Sequence, residues 1–192
     1  MKLLICCATP WELKTVKTEI KKLNLKKNLD IFYLCTGIGN YETIYTLTNY
    51  LTKEAHLNNL FLINIWICWY WNNTSNQPPK FIQIWRIKNI HTNKELLPPL
   101  PFIFWEIQSL YSSESIVTNT PETDNIWFVE MESWGIEICC NKYNIPHIFI
   151  KVPYDKIGQE TKEFKKDEAW KYLAENIDYK NLIETILSLP NN

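Results

Sequence analysis

The stretch MKLLICCATPWELKTVKTEIKKL, residues 1–23, decides the fold, because a strand signal is followed at once by a helix signal. Lys2–Ala8 is a short apolar run, which is typical of a strand buried on both faces. Thr9-Pro10 then opens a pattern with apolar residues at helical spacing and lysines on the other face. The stretch therefore predicts a β-strand that feeds directly into an α-helix.

The same unit recurs along the chain. Ile31–Cys35 is an apolar strand, followed by a turn at Thr36–Asn40 and a helical pattern from Tyr41 to Lys53. Strands alternating with helices predict a single α/β domain over residues 1–192, with a mostly parallel mixed sheet flanked by helices. A third strand signal, Leu60–Ile65, runs into the aromatic stretch Trp66–Trp71. The later strand signals are Phe81–Ile90, Ser115–Thr118, Ile126–Val129 and Ile148–Val152. Helical patterns cover Met131–Tyr143 and about Lys162–Leu189, with a break near Asp178.

Composition and charge argue against several classes of protein. The 192 residues carry 20 Lys and Arg against 21 Asp and Glu, and Arg86 is the single arginine, so little is available to neutralise a phosphate backbone. The apolar run Leu60–Trp71 is shorter than the roughly 20 residues of a membrane-spanning helix. Leu3–Ala8 is too short for the apolar region of a signal peptide. These observations predict a cytoplasmic protein with a small ligand and no nucleic-acid or membrane partner.

Cysteine and histidine spacing argues against a metal site. The six cysteines lie inside apolar runs without C-x-x-C spacing, so we expect buried, reduced thiols. The three histidines are scattered along the chain. A nicotinamide cofactor is also not expected, because the turn with Gly37 and Gly39 lacks a third glycine and has Glu42 at that point. The sequence therefore predicts no metal and no cofactor.

Polar residues at the strand ends are the candidates for a site, because ligands of open α/β sheets bind beyond the carboxyl ends of the strands. Each also has an ordinary structural interpretation: a tight turn for the two glycines, helix-dipole acidity for the two glutamates of the Glu-Met-Glu segment, and a helix cap or ion pair for the aspartate. Three carboxylates that are far apart in sequence and meet at one rim favour a site. The candidates are Glu12, Gly37, Gly39, Asn64, Glu130, Glu132 and Asp155.

These residues resemble, in order, the landmarks of the purine nucleoside phosphorylase and nucleosidase superfamily. The similarity is to the nucleosidase branch, which includes methylthioadenosine/S-adenosylhomocysteine nucleosidase and futalosine hydrolase, and it covers most of the chain. Its most specific part is the methionine–glutamate motif before a helix, with an aspartate after the next strand. The segments that carry it are Met1–Glu12, Gly37–Gly39, Ile63-Asn64, Val129–Ser133 and Ile150–Asp155.

The resemblance implies a role for each candidate. Glu12 would position or deprotonate a water, and Asp155 would protonate a purine at N7. Met131 and Glu132 would hold a ribose, the glutamate through the ribose hydroxyls. These roles suit N-glycosidic cleavage, which needs an acid on the base side and a general base for water on the other. The other expected substrate-binding residues are Gly37, Gly39, Asn64 and Glu130.

Two alternatives to a hydrolase stay open. A phosphorylase would need cations for inorganic phosphate, which its relatives supply as arginines near the Gly-x-Gly turn and the third strand, whereas Arg86 lies farther along this chain. A nucleoside-binding protein that keeps the fold without catalysis is the other alternative, and the aromatic stretch after Ile65 favours it. Relatives in this superfamily are usually dimers or larger, so the resemblance also implies a homodimer.

Tryptophan and glycine counts are unusual: the chain has nine tryptophans and four glycines, where glycine is ordinarily about 7% of residues. Replacing the tryptophans of Ile63–Trp69 by glycine improves the match to the resembled family. UGA is read as tryptophan in some genetic codes and as glycine in others. Translation of the gene with the wrong code would therefore produce both the excess of tryptophan and the shortage of glycine. The competing interpretation is a genuine aromatic pocket that stacks on bases. The positions concerned are Trp66, Trp69, Trp71 and Trp85.

Overall fold

The computed structural model describes residues 1–23, 25, 29–53, 59–71, 77–118, 127–157 and 165–189, and of Asp155, Lys166 and Asp167 it describes the backbone alone. Strands and helices alternate at both ends of the chain. In chain order they are β1 (Lys2–Cys7), α1 (Pro10–Lys22), β2 (Asp30–Cys35), α2 (Asn40–Lys53), β3 (Leu60–Trp71), β4 (Ile82–Asn89), β5 (Glu95–Leu96), β6 (Ile107–Ser112), β7 (Trp127–Glu130), α3 (Ser133–Tyr143), β8 (His147–Lys156), α4 (Lys166–Asn176) and α5 (Tyr179–Leu187).

The described strands form one mixed sheet, which confirms the predicted α/β class. β1 pairs in parallel with β2 and β3, and β3 pairs in parallel with β8. β4–β6 and β6–β7 are also parallel, whereas β3–β7, β4–β5 and β4–β8 are antiparallel. The strands β3, β7, β6, β4 and β8 therefore close a circuit of hydrogen-bonded pairs. β1 pairs with Leu60–Asn64 and β7 with Trp69–Trp71, so in the described sheet the stretch of β3 between them pairs with β8 alone.

Burial explains why β1 and β3 read as apolar runs. Leu3 through Cys7 and Leu62 through Ile65 are fully buried, because helices cover both faces of these central strands. Helix α2 packs closely on α3: a Cβ built on Gly135 would lie 2.7 Å from the backbone oxygen of Asn40. Gly135, one of only four glycines in the chain, therefore lies where no larger residue fits between α2 and α3.

Several predicted boundaries need correction. The aromatic stretch belongs to β3, which continues to Trp71 instead of ending at Ile65. Ser115–Thr118 is not a strand, whereas β6, which the weak pattern of that region did not predict, is one. β8 continues through Asp155, which therefore lies within a strand and not after it. The final helical pattern is two helices separated at Ile177-Asp178, where a break was predicted.

The cysteine prediction is confirmed, since all six thiols are free and all but the half-buried Cys35 are buried. Burial raises the pKa of the Cys7 and Cys140 thiols well above the ordinary value, which keeps them protonated. They act as small apolar core residues. None of the helices in the described ranges combines the length and the apolar character needed to cross a bilayer.

Candidate functional site

A cavity of about 420 Å³ lies where β1 and β7 end and where α1 and α3 begin. Its volume is within the range of small-molecule sites, roughly 300–1,000 Å³. Its wall is largely apolar and contains three carboxylates. The lining residues are Ala8, Thr9, Trp11, Glu12, Ile38, Trp66, Ile67, Cys68, Trp69, Glu130, Met131 and Glu132.

Glu12 is held at the start of α1 by a capping box. One of its carboxylate oxygens accepts hydrogen bonds from the backbone N–H of Thr9 at 2.9 Å and from the Thr9 hydroxyl at 2.6 Å. The Thr9-x-x-Glu12 spacing produces this arrangement locally. Burial raises the pKa of Glu12 to about 7, although the Thr9 hydrogen bonds and the charge of Lys151 oppose the shift. A carboxyl with this pKa can take up and release a proton near neutral pH.

Glu130 is the structural centre of the Glu-Met-Glu segment. Its Oε2 accepts hydrogen bonds from the backbone N–H of Glu132 at 3.0 Å and from the N–H and hydroxyl of Ser133 at 2.8 and 2.9 Å. These contacts fix the turn that joins β7 to α3. Its Oε1 is buried and has no hydrogen-bond partner among the described residues. Glu130 lines the cavity, but this oxygen lies below the cavity surface.

Glu132 joins the segment to the glycine turn. Its Oε1 accepts a 2.9 Å hydrogen bond from the backbone N–H of Gly39, and its Oε2 accepts one of 3.2 Å from the N–H of Met131. Gly37 and Gly39 both have positive φ, 85° and 93°, so glycine is needed for this turn. Burial, and then the negative charge of Glu130, raises the pKa of Glu132 above its ordinary value.

Lys151 is a member of the site that the sequence predictions missed. Its ammonium is fully buried, donates to Asn64 Oδ1 at 2.6 Å and lies 3.2 Å from Glu130 Oε2. Burial lowers the pKa of Lys151, whereas the charges of Glu130 and Glu132 act in the opposite direction. A lysine in the otherwise apolar run of β8 was the available signal, because buried lysines are rare unless paired.

Asn64 and Asp155 are placed differently from the other candidates. Asn64 lies behind the cavity wall, where its Nδ2 donates to the backbone oxygen of Cys6 and its Oδ1 accepts from Lys151. Asp155 pairs through its backbone with Trp69, a cavity-lining residue, after a β-bulge at Tyr154 shifts the register of β8 against β3. The Asp155 side chain lies outside the described part of the chain. Bulges of this kind are common next to active sites.

The structure thus brings Glu12, Glu130, Met131 and Glu132 to one cavity, with Gly39 bonded to Glu132 from the side. Gly37 shapes the turn and donates its N–H to the Ala8 oxygen. Three carboxylates line this space, and one buried ammonium lies behind its wall, covered by Trp66. Such a site can exchange protons with a ligand and stabilise positive charge that develops on it.

Comparisons with known proteins identify the fold. No protein-family model and no curated protein matches the sequence. Among solved structures, a variant of the MTAN from Chlamydia trachomatis is 20% identical, with a TM-score of 0.69 and coverage of 99% of this chain and 100% of that one. The same Chlamydia protein has been solved bound to MTA and bound to adenine.

A second neighbour is the 5'-methylthioadenosine/S-adenosylhomocysteine nucleosidase of Helicobacter pylori, solved with butyl-thio-DADMe-Immucillin-A. It is 11% identical, with a TM-score of 0.74, and covers 98% of this chain and 99% of its own. The chain therefore has the fold of these nucleosidases over nearly its whole length, as the resemblance in the sequence implied.

Proposed function

We propose that the protein hydrolyses the N-glycosidic bond of a purine nucleoside, with nucleosides that carry a 5'-thioether as the first substrates to test. The observation that carries the proposal is the convergence of Glu12, Glu130 and Glu132 on one cavity in a fold of the nucleosidase type. The neighbours that bind MTA and adenine support a purine ligand of this size.

The mechanism follows from the chemistry of the bond. The bond between C1' of the sugar and N9 of the purine breaks with its electron pair going to the base, which leaves an oxocarbenium-like sugar. Asp155 would deliver a proton to N7 of the leaving purine. Water would attack C1', and Glu12 would accept the proton that the water loses. The products are the free base and the free sugar.

Glu12 suits the role of base because its raised pKa places the change of ionisation near 7. A substantial fraction of Glu12 is therefore protonated at pH 7, and the ionised, active form grows as the pH rises. Glu132 and Met131 line the same wall and would contact the ribose, with the unpartnered Glu130 Oε1 beside them.

Hydrolysis fits the charges of the site better than phosphorolysis. The cavity wall carries three carboxylates, and the nearby Lys151 is already bonded to Glu130 and Asn64. Arg86 donates to the Ser109 hydroxyl at 3.0 Å and lies 3.9 Å from Glu95, outside the cavity wall. Within the described ranges, no uncommitted cation of the cavity wall is offered to inorganic phosphate.

The decisive experiment incubates the purified protein with purine nucleosides and 5'-thioether nucleosides, with and without phosphate, and identifies the released sugar. Free base and free sugar in phosphate-free buffer are the expected products. Formation of a sugar 1-phosphate with a strict phosphate requirement would replace the proposal with a phosphorylase. Binding of nucleosides without any release of base would replace it with a binding protein.

We infer a homodimer as the assembly in which this site works. Ile38 lines the cavity and is 59% exposed, and Tyr41 and Tyr45, which follow it on α2, are 77% and 69% exposed. This apolar face begins at the cavity, so a second copy seated on it would cover both. Light scattering on the purified protein measures the assembly, and a monomer at working concentration would contradict the inference.

A further inference from the structure

We infer that the working protein has glycine, not tryptophan, at positions 66, 69, 71 and 85, and that the small residue at 66 opens the buried Lys151–Glu130 pair to the substrate. Nine tryptophans stand against four glycines in this chain, and three of the nine lie within residues 66–71 of a single strand. The statement about residue identity is independent of the activity. Its consequence for the substrate rests on the proposed function.

The polar indole nitrogens of two of these tryptophans are poorly accommodated in the core. The indole N–H groups of Trp66 and Trp71 are buried and lack a hydrogen-bond partner among the described residues, although a buried indole N–H normally finds one. In the described ranges, Thr43 and Glu130 supply the other two unpartnered polar atoms of this kind, and no further tryptophan does. By contrast, Trp105 stacks on Phe81 with the ring centroids 5.2 Å apart.

The backbone at position 85 also favours a small residue. β4 pairs with β6 through Ile84 opposite Gln108 and then through Arg86 opposite Ser109, so Trp85 is the extra residue of a β-bulge. Glycine inside a strand often marks such a bulge. Trp69 lies opposite a β-bulge in β8, because Cys68 pairs with Pro153 whereas Trp69 pairs with Asp155.

The size of the residue at position 66 determines whether the Lys151 ammonium borders the cavity. Trp66 lines the cavity, and its ring centroid lies 3.6 Å from the Lys151 ammonium, which is not part of the cavity wall. The indole therefore covers the ammonium on one side. With glycine at 66, the cavity would extend to the Lys151 ammonium, which lies beside Glu130, a residue of the present wall. A substrate hydroxyl could then approach the backbone and the charged pair, which is a recurrent reason for glycine within a strand.

The identity of the residues is tested on the protein isolated from its source cells. Trypsin cleaves after Lys53 and Lys80, so one peptide, residues 54–80, contains positions 66, 69 and 71. We expect the mass of this peptide to be lower than the printed sequence gives, by the difference between three tryptophans and three glycines. The three codons should be UGA. The peptide of residues 167–171, which contains Trp170, is the internal control and should keep its tryptophan. Tryptophan in the native 54–80 peptide, or UGG at codon 66, would overturn the inference.

The consequence is tested with Trp66→Gly in the chain as written. We expect an activity at least about tenfold above that of the unchanged chain, and a lower Tm because a buried indole is removed from the core. The matched control is Trp170→Gly, because Trp170 is 43% exposed on α4 and glycine weakens a helix. Base release by Trp66→Gly that is measurable but no faster than that of Trp170→Gly would overturn the statement about position 66. Glycine in the native peptide together with no base release by Trp66→Gly would leave the inference standing and contradict the proposed function.

Discussion

At the scale of single residues, burial gives the carboxyl groups of the cavity their chemical character. Glu12 and Glu132 are ordinary surface residue types, yet burial raises the pKa of both. Lys151 is buried with them, so its charge limits these shifts. The reactivity of the site therefore depends on a small number of charges in a space that excludes most water.

The acid and the base can be tested together. Glu12→Gln and Asp155→Asn should each lower the rate of base release roughly 10²–10⁴-fold, because each removes a proton-transfer group. In the unchanged protein, kcat/KM should rise with pH through about 7, as Glu12 loses its proton. Glu184→Gln, an exposed change on α5, is the control and should keep the full rate. The assignment of the acid fails if Asp155→Asn retains more than about a tenth of the rate.

The stabilising effect of the Lys151 charge on the buried carboxylates can be tested by substitution. Lys151→Met leaves Glu130 without its cation and should lower the free energy of unfolding by about 3–5 kcal/mol at pH 8. The loss should be smaller at pH 5, since Glu12 and Glu132 are then protonated. Urea denaturation at the two pH values measures both effects.

The double variant Lys151→Met/Glu130→Gln serves as the control for that experiment, because it removes both charges and should recover part of the lost stability. A double variant that is less stable by the sum of the two single losses would show that the pair does not interact.

At the scale of elements, the site depends on how α2 and α3 meet. Asn40, at the start of α2, donates through Nδ2 to the Ser112 hydroxyl and accepts the backbone N–H of Gly135 at 2.8 Å. These contacts hold the beginning of α3 next to the glycine turn. Glu132 therefore reaches Gly39 because two helices approach each other more closely than ordinary side chains allow.

Gly135→Ala tests this close approach. In an open helix the change would stabilise by about 0.5–1 kcal/mol, but here the new Cβ would lie 2.7 Å from the Asn40 oxygen. We expect a net loss of about 1–3 kcal/mol in the free energy of unfolding. The control is Asn144→Gly at the other end of α3, where φ is 53° and glycine should be neutral or stabilising. Equal or greater stability of Gly135→Ala would show that the helices can separate at no cost.

At the scale of the whole molecule, the buried carboxyls should make stability depend on pH. The pKa of Glu12 in the folded state, about 7, is above its ordinary value of 4.5, so the folded state binds the proton more tightly than the unfolded state. The stabilisation is complete below pH 4.5 and is lost as the pH rises through 7. For Glu12 alone it amounts to about 3 kcal/mol.

The free energy of unfolding should therefore fall between pH 4.5 and pH 7, and Glu12→Gln should flatten part of this fall. Denaturant titrations at several pH values measure the slope. Glu184→Gln, on an exposed face, should keep the slope of the unchanged protein. If Glu12→Gln keeps it as well, Glu12 is not the buried group that produces the dependence.

The sequence by itself determined the order of the elements from β1 to β4 and from β7 to α5, and the position of every candidate but Asp155 along them. Apolar runs such as Lys2–Ala8 and helical spacing after Thr9 are local patterns, so they predict local structure. The same reasoning predicted the break between α4 and α5. It missed β6 and placed a strand at Ser115–Thr118, because pairing partners far away in the chain decide short strands.

Only the tertiary structure decided the chemistry of the site. Lys151 looks like one residue of an apolar strand until β3 and β7 bring Asn64 and Glu130 to its ammonium. Asn64 was expected to bind substrate, but the fold places it behind the wall as a partner of that ammonium. Burial and the distances between charges arise when distant segments pack together, and they set pKa values and the access of a ligand. No local pattern in the sequence contains those quantities.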